Sequence, residues 1–200
     1  MKISQDRLRE ILAAEQPQAS VMLTDYLARH DLQLDDLAYL AGNLAPRGLF
    51  GLAEIVFTKW TEATPNNPEP WTNLGLCLCR QKKINEARKA LEHALSLDPD
   101  YLPAMNNLGE VYQELGERDL QLQNCLSAVS KHPSSALAFN NLGSAFVEMG
   151  MFNEARHAFE TSLILDPNLF VARFNLAKEA SQSGQGQILS LIHISEPTRP

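Results

Sequence analysis

Apolar residues recur along much of the chain at the spacing of one face of a helix. Within residues 68–101, Leu74 and Leu78 stand one turn apart, and Ala87 and Leu91 repeat that spacing after a polar stretch. Apolar positions three or four residues apart indicate amphipathic helices. Residues 68–101 therefore predict two helices, each with one apolar face, joined by a short turn.

The same pattern returns every 34 residues, which predicts stacked copies of one unit. The recurring positions are Trp71, Leu74, Gly75, Leu78, Ala87, Leu91 and Pro99, then Met105, Leu108, Gly109, Tyr112, Cys125 and Pro133, then Phe139, Leu142, Gly143, Phe146, Ala155, Phe159 and Pro167. The glycines let a second helix approach the first, and this packing offsets their cost of about 1 kcal/mol each as helix residues. Proline ends each unit because it lacks an amide donor. A single helix pair cannot bury its apolar stripe alone, so neighbouring pairs must stack.

This spacing resembles that of the tetratricopeptide repeat (TPR) family, whose unit is a helix–turn–helix of 34 residues. The resemblance implies an all-α fold, a right-handed TPR α-solenoid of antiparallel helix pairs. It divides the chain into a degenerate repeat at 34–67, repeats at 68–101, 102–135 and 136–169, and a truncated first helix at 170–187. Pro46 is expected to shorten the first helix of the degenerate repeat.

The two ends of the chain depart from the repeat. Residues 1–33 predict an N-terminal helical cap of two amphipathic helices, Ser4–Glu15 and Pro17–His30. Residues 189–199 resemble a translated sequencing-library adaptor, so we expect 188–200 to be a non-native tail. The first helix of the truncated last repeat would then lack its partner and expose Leu176 and Ala180.

Charge and composition argue against several classes of partner. The formal net charge is −7, whereas nucleic-acid binding calls for a basic face. No apolar run approaches the ~18–20 residues of a membrane span. The N-terminus is charged where a signal peptide needs apolar residues. Three cysteines without zinc spacing suit a reducing compartment. We therefore expect a cytoplasmic protein without nucleic-acid or membrane partners.

The sequence provides little support for catalysis or metal binding. Cys77 and Cys79 point to roughly opposite sides of a helix, and Cys125 takes the register position of Leu91 and Phe159. Buried core thiols are favoured over a redox or metal site. There is no glycine-rich phosphate loop and no nucleophile elbow. We expect residues 1–187 to have no enzyme activity, no cofactor and no metal.

The informative polar feature is a ladder of amides on the predicted first helices. Asn73, Asn107, Asn141 and Asn175 recur every 34 residues, and Asn106 and Asn140 precede two of them. The TPR resemblance places this face on the concave side of the solenoid. Amides have both a donor and an acceptor, so the ladder predicts binding to the main chain of an extended peptide. The alternative is that these residues hydrogen-bond only between adjacent helices.

Acidic residues on the same face bear on the partner. Glu110 joins the predicted site, and with Glu114 and Glu148 it favours a neutral or basic segment; a solvated acidic surface is the alternative. Related TPR proteins hold acidic chaperone tails with a clamp of Lys, Arg and Asn. Here the matching positions hold Thr72, Asn106, Glu110 and Leu137, so no such clamp is expected.

Two functions stay open at this point. The first is a protein–protein interaction scaffold that binds a partner segment in the Asn-lined groove. The second follows from the phrases beginning at Met105 and Phe139, which look like the TPR arrays of bacterial SPINDLY-like and O-GlcNAc-transferase-like proteins. On that interpretation the chain is the substrate-recognition arm of a truncated protein O-glycosyltransferase whose catalytic domain lies beyond it.

Overall fold

The computed structural model describes residues 10–182 apart from residues 12, 15 and 31, and these residues are helical with no β-strand. The helices are α1 (Gln16–Arg29), α2 (Leu34–Leu44), α3 (Phe50–Ala63), α4 (Pro68–Arg80), α5 (Ile84–Leu97), α6 (Leu102–Leu115), α7 (Arg118–Lys131), α8 (Ala136–Glu148), α9 (Phe152–Leu165) and α10 (Phe170–Gln182). The all-α class predicted from the sequence is confirmed. None of the described helices is both long and apolar enough to span a membrane.

The chain divides into two compact units, Met1–Asn107 and Leu108–Pro200, with the boundary inside α6. In the first unit α1 and α2 pack on α3, α3 packs on α4, and α4 packs on α5. In the second unit α7 packs on α8, α8 on α9, and α10 on both α8 and α9. Packing between consecutive helices confirms the antiparallel helix pairs of the TPR fold class.

Left-handed residues make the turns inside the helix pairs. Gly48, Gly116 and Gly150 have φ angles of 74°, 73° and 75°. Lys82 takes the same register position after α4 and has a φ of 62°. Because an L side chain crowds the backbone in this region, glycine is the usual residue there. Lys82 is therefore the strained member of the set.

The helix pairs of two repeats are held by a glycine opposite a large apolar side chain. A methyl group added to Gly75 would lie 2.6 Å from Leu91 Cγ, and one added to Gly143 would lie 2.5 Å from a ring carbon of Phe159. Leu91 and Phe159 are almost fully buried. The predicted close approach of the helices is thus present in both pairs.

Side chains also fix where two of the repeats begin. The side chain of Asn67 accepts a hydrogen bond from the Glu69 amide at 3.0 Å, and Ser135 accepts one from the Ala138 amide at 3.2 Å. Such caps satisfy amide groups that a helix leaves unpaired at its start. Each of these two helix pairs therefore starts at a defined residue.

The expectations for the ends of the chain had different outcomes. Helix α2 ends at Leu44 and is followed by a 3₁₀ turn through Ala45–Arg47, so Pro46 does shorten the first helix of the degenerate repeat. Helix α1 agrees with the second predicted cap helix. Most of the first cap helix, and all of residues 183–200, lie outside the described residues.

The expectation that Ala180 is exposed was wrong. Ala180 is only 2% exposed, and Leu176 is half-buried. The end of α10 packs on α9, where Arg156 binds the buried carboxylate of Glu179 through contacts of 3.0–3.2 Å. This ion pair holds the last turns of α10 against α9, so the small neighbouring side chain is covered.

Candidate functional site

The amides of the first unit lie on the first helices of two repeats. Asn73 is on α4, and Asn106 and Asn107 are on α6; all three are half-buried. The side chains of Asn73 and Asn107 make no hydrogen bond to any other residue that the structure describes. These two amides therefore keep hydrogen-bonding capacity at a partly accessible surface.

The amides of the second unit are divided between a buried and an accessible set. Asn140 on α8 is only 4% exposed. Its Oδ1 accepts a hydrogen bond from Asn175 Nδ2 on α10 at 3.0 Å, and its Nδ2 donates to Asn141 Oδ1 at 3.3 Å. A buried amide must be paired in this way to offset its desolvation. Asn140 thus joins α8 to α10, while the half-buried Asn141 and Asn175 keep accessible surface.

Carboxylates lie on the first helices of the second unit. Glu110 and Glu114 are exposed on α6, one turn apart. Glu148, near the end of α8, accepts a hydrogen bond from Gln113 Nε2 on α6 at 3.1 Å. Like charges at this spacing repel, and the two carboxylates make this part of α6 acidic. The exposed Lys178 on α10 is the basic residue at the register position of Glu110.

Large apolar side chains are exposed near the start of the same first helices. Leu137 on α8 is 43% exposed, and Val171 and Phe174 on α10 are 40% and 57% exposed. Phe174 occupies the register position at which α8 has Asn140. At the register position of Asn106 and Asn140, α10 therefore has an exposed aromatic ring in place of an amide.

The cysteines are placed as core residues. Cys77, Cys79 and Cys125 are buried and form no disulfide. Burial raises the pKa of Cys125 to about 12, and burial together with the carboxylate of Glu54 raises the pKa of Cys77 to about 11. Because the thiolate is the reactive form, neither of these two thiols is set up as a nucleophile. Within the described residues no group of three His, Cys, Asp or Glu side chains could hold a metal.

Sequence reasoning missed a polar link in the first unit. Gln81 Nε2 donates to Glu54 at 2.7 Å, and Lys83 Nζ contacts the same carboxylate at 2.8 Å. These residues lie outside the recurring template, so the repeat pattern carried no signal for them. They join α3 to the turn after α4 and so serve packing rather than ligand binding.

Helical hairpins with a 34-residue register define a helical-repeat protein. Residues 68–101 and 136–169 match the family model described as tetratricopeptide repeat. These two stretches are therefore tetratricopeptide repeats.

One curated relative matches most of this chain. The chain is 26% identical over 176 residues to Protein NPGR1 of Arabidopsis thaliana, and the match covers 87% of this chain and 25% of that protein. It spans a quarter or less of the curated relatives it matches.

Solved structures show the same fold. TTC0263, a thermophilic TPR protein of Thermus thermophilus, is 20% identical with a TM-score of 0.68, covering 88% of this chain and 98% of that one. The first TPR of Spaghetti (RPAP3), bound to the HSP90 peptide SRMEEVD, is 24% identical with a TM-score of 0.55, covering 59% and 94%.

Proposed function

We propose that this protein is an interaction scaffold whose first-helix amides bind an extended segment of a partner protein. The observation that carries the proposal is the partial burial of Asn73 and Asn107 together with the hydrogen-bonding capacity that their side chains keep. Both are half-buried at the same register position, and neither side chain hydrogen-bonds within the described part of the chain. A purely structural ladder would use these amides between helices, as Asn140 is used.

The chemistry of the amides suits a peptide main chain. An extended segment presents N–H and C=O groups, and each asparagine can accept from the first and donate to the second. Recognition of this kind depends little on the partner's side chains. The proposed contacts are the half-buried Asn73, Asn106 and Asn107 in the first unit, and the half-buried Asn141 and Asn175 and the exposed Glu110 in the second unit. Asn140 acts through Asn141 and Asn175, whose amides it orients.

The partner segment that we propose is neutral or basic. The RPAP3 repeat was solved with a peptide that contains two glutamates and an aspartate. Here Glu110 is exposed, and Leu137 and the buried Thr72 take two of the positions expected of a basic clamp. An acidic tail would be repelled by this face. A neutral or basic segment would not, and nucleic acid and membranes are not proposed as partners.

A protein O-glycosyltransferase with these repeats as its recognition arm would use the same amides. The experiment below therefore tests recognition in either setting.

The test is to replace Asn107 and Asn141 together by alanine and to measure peptide capture. The probe is a displayed library of random dodecapeptides, selected on the parent protein and then remeasured by fluorescence polarisation. The double variant should bind about tenfold more weakly, because each lost hydrogen bond contributes about 0.5–1.5 kcal/mol. Its far-UV circular dichroism should stay near that of the parent, whereas its unfolding midpoint should fall modestly, because Asn141→Ala removes the acceptor of the buried Asn140 amide.

A matched control pair is available on the second helices. Asn85 and Asn153 are both exposed and share one register position on α5 and α9. Replacing them by alanine should leave capture unchanged. The proposal fails if the control pair and the Asn107/Asn141 pair behave alike. It also fails if the latter variant unfolds early while binding per folded molecule is kept, because the ladder would then be structural.

A further inference from the structure

We propose that Arg156 and Glu179 are positioning residues for the amides of the second unit. Their ion pair holds α10 on α9 in the position from which Asn175 can bind Asn140. The inference rests on the proposed function and adds to it two residues that act through the amides rather than on the partner.

Glu179 is a buried charge at a register position that is apolar in the repeats before it. The first helices α4, α6 and α8 have Cys77, Val111 and Ala145 at this position, and all three are at most 1% exposed. Glu179 is also only 1% exposed. Taking a carboxylate out of water is costly unless its charge is paired. A carboxylate here therefore has a cause that the repeat pattern does not supply.

Arg156 pairs with this carboxylate through a fork of donors. Its Nε donates to Oε2 of Glu179 at 3.2 Å, and its Nη2 donates to Oε1 at 3.0 Å and to Oε2 at 3.2 Å. A planar guanidinium that binds both oxygens fixes direction as well as distance. The pair therefore restricts both the sliding and the rotation of α10 on α9.

The preceding junction of the second unit has no charge at these positions. Leu122 on α7 has the register position of Arg156, and Ala145 on α8 has that of Glu179. Leu122 packs against the buried cluster that contains Ala145. Apolar contact is non-directional, and replacing a buried ion pair by apolar residues is often neutral or stabilising. Stability alone therefore does not account for the charged pair.

The position of α10 decides whether the buried amide of the second unit is paired. Asn175 lies one turn before Glu179 and donates to Oδ1 of Asn140 on α8 at 3.0 Å. Asn140 in turn donates to Oδ1 of Asn141 at 3.3 Å. Because a hydrogen bond weakens steeply as its atoms misalign, a shift of α10 would leave Asn140 buried and partly unpaired. Asn141 and Asn175 are proposed partner contacts, so the ion pair controls how both are oriented.

The experiment compares variants of the full chain. Arg156→Leu leaves the buried carboxylate unpaired, so its unfolding midpoint should fall clearly. The double variant Arg156→Leu/Glu179→Ala copies the apolar pair of the α7–α8 junction, so its midpoint should return to that of the parent. Arg88→Leu is the matched control. Arg88 has the register position of Arg156 on α5, but it pairs with Glu92 on its own helix at 2.7 Å.

NMR hydrogen exchange of the free protein reports the amides without any partner. In the double variant the side-chain NH₂ protons of Asn140 and Asn175 should exchange with water about fivefold faster, which corresponds to the loss of roughly one hydrogen bond. In the control they should exchange as in the parent. A role in stability alone would not change these rates once the midpoint is restored.

Peptide affinity is measured with a dodecapeptide selected on the parent protein from the random library. The double variant should bind it about fivefold more weakly, and the control should bind it as the parent does. Arg156→Lys keeps the charge and therefore the fold, but it lacks the planar fork. It should show both changes at about twofold, which keeps the test valid if the double variant does not fold.

Parent-like exchange and affinity in both the double variant and Arg156→Lys would overturn this inference and leave the proposed function intact. Faster exchange with unchanged affinity would also overturn it, because the pair would then orient amides that the partner does not use. The proposed function fails separately, if the Asn107/Asn141 alanine variant binds the selected peptide as tightly as the parent does.

Discussion

The middle repeat, residues 102–135, differs from the outer repeats, residues 68–101 and 136–169, in how its two helices pack. The outer repeats put the buried Leu91 and Phe159 against a glycine, so that an added methyl group would meet them at 2.6 and 2.5 Å. In the middle repeat the same methyl group on Gly109 would lie 3.4 Å from Asn124 Nδ2 and 3.8 Å from Cys125 Sγ.

Other positions of the second helix follow the same division. The outer repeats have buried alanines, Ala87 and Ala155, where the middle repeat has Gln121. Gln121 is only 3% exposed, and its Oε1 has no hydrogen-bond partner among the described residues. The family model matches the outer repeats. A repeat can therefore keep its register and turn glycine while its helix packing is less close.

The largest effect should come from Gly143→Ala compared with Gly109→Ala. The added methyl group at position 143 meets the ring of Phe159, which is almost fully buried and cannot move aside without disturbing the core. We expect a loss of about 2 kcal/mol in the free energy of unfolding, since overpacking outweighs the gain in helix propensity. At position 109 the added methyl group lies nearest to the end of a flexible side chain, Asn124. The gain in helix propensity, up to about 1 kcal/mol, should therefore outweigh any cost of packing.

Urea denaturation followed by circular dichroism measures both variants. Opposite shifts of the unfolding midpoint would support the contrast between the repeats. Equal destabilisation would show that the middle repeat is packed as closely as the outer ones.

A smaller effect is expected for Gln121→Met. Methionine keeps the length of the side chain but removes the unpaired buried oxygen, whose desolvation costs about 1–3 kcal/mol. We expect a gain of about 1 kcal/mol in unfolding free energy. Gln123→Met, on the exposed side of the same helix, is the control and should change stability by less than about 0.5 kcal/mol. A loss of stability in the Gln121 variant would mean that its amide is paired after all.

The smallest effect is expected at the turn of the first outer repeat. Lys82 has a φ of 62°, where the other turns have glycine. A left-handed backbone costs an L residue about 1–2 kcal/mol. Replacing that residue by glycine removes this cost, but the greater entropy of glycine in the unfolded state takes back about 0.5–1 kcal/mol. Lys82→Gly should therefore raise the unfolding midpoint slightly, by about 0.5 kcal/mol in free energy. The reverse change, Gly116→Lys, should lower it, and two changes of the same sign would contradict the assignment of strain to Lys82.

The fold could be predicted from the sequence because its signals are local and recur. The backbone is constrained locally by Gly75 and Gly143, by the turn glycines and by the terminal prolines. The 34-residue register repeats these constraints. The looser packing in the middle repeat was not predicted. The sequence identified Cys125 as a core residue. How loosely the helices pack around this small side chain opposite Gly109 depends on the distance between the helices.

The site was less predictable because burial depends on the next helix and not on the register alone. Thr72, Asn106, Asn140 and Phe174 share one register position, yet they range from 2% exposed to 57% exposed. The pairing of Asn140 with Asn175 requires the contact of α8 with α10, which no single repeat encodes. The ladder therefore predicted where amides lie but not which of them join helices.

The most direct test of the proposed peptide site is an NMR titration that follows the side-chain amide signals of the asparagines. The probe is a dodecapeptide selected on the parent protein from the random library. The signals of Asn107, Asn141 and Asn175 should shift on binding, whereas those of the exposed Asn85 and Asn153 on the second helices should not. Shifts confined to the second helices, with the ladder signals unchanged, would contradict the claim that these first-helix amides bind the partner.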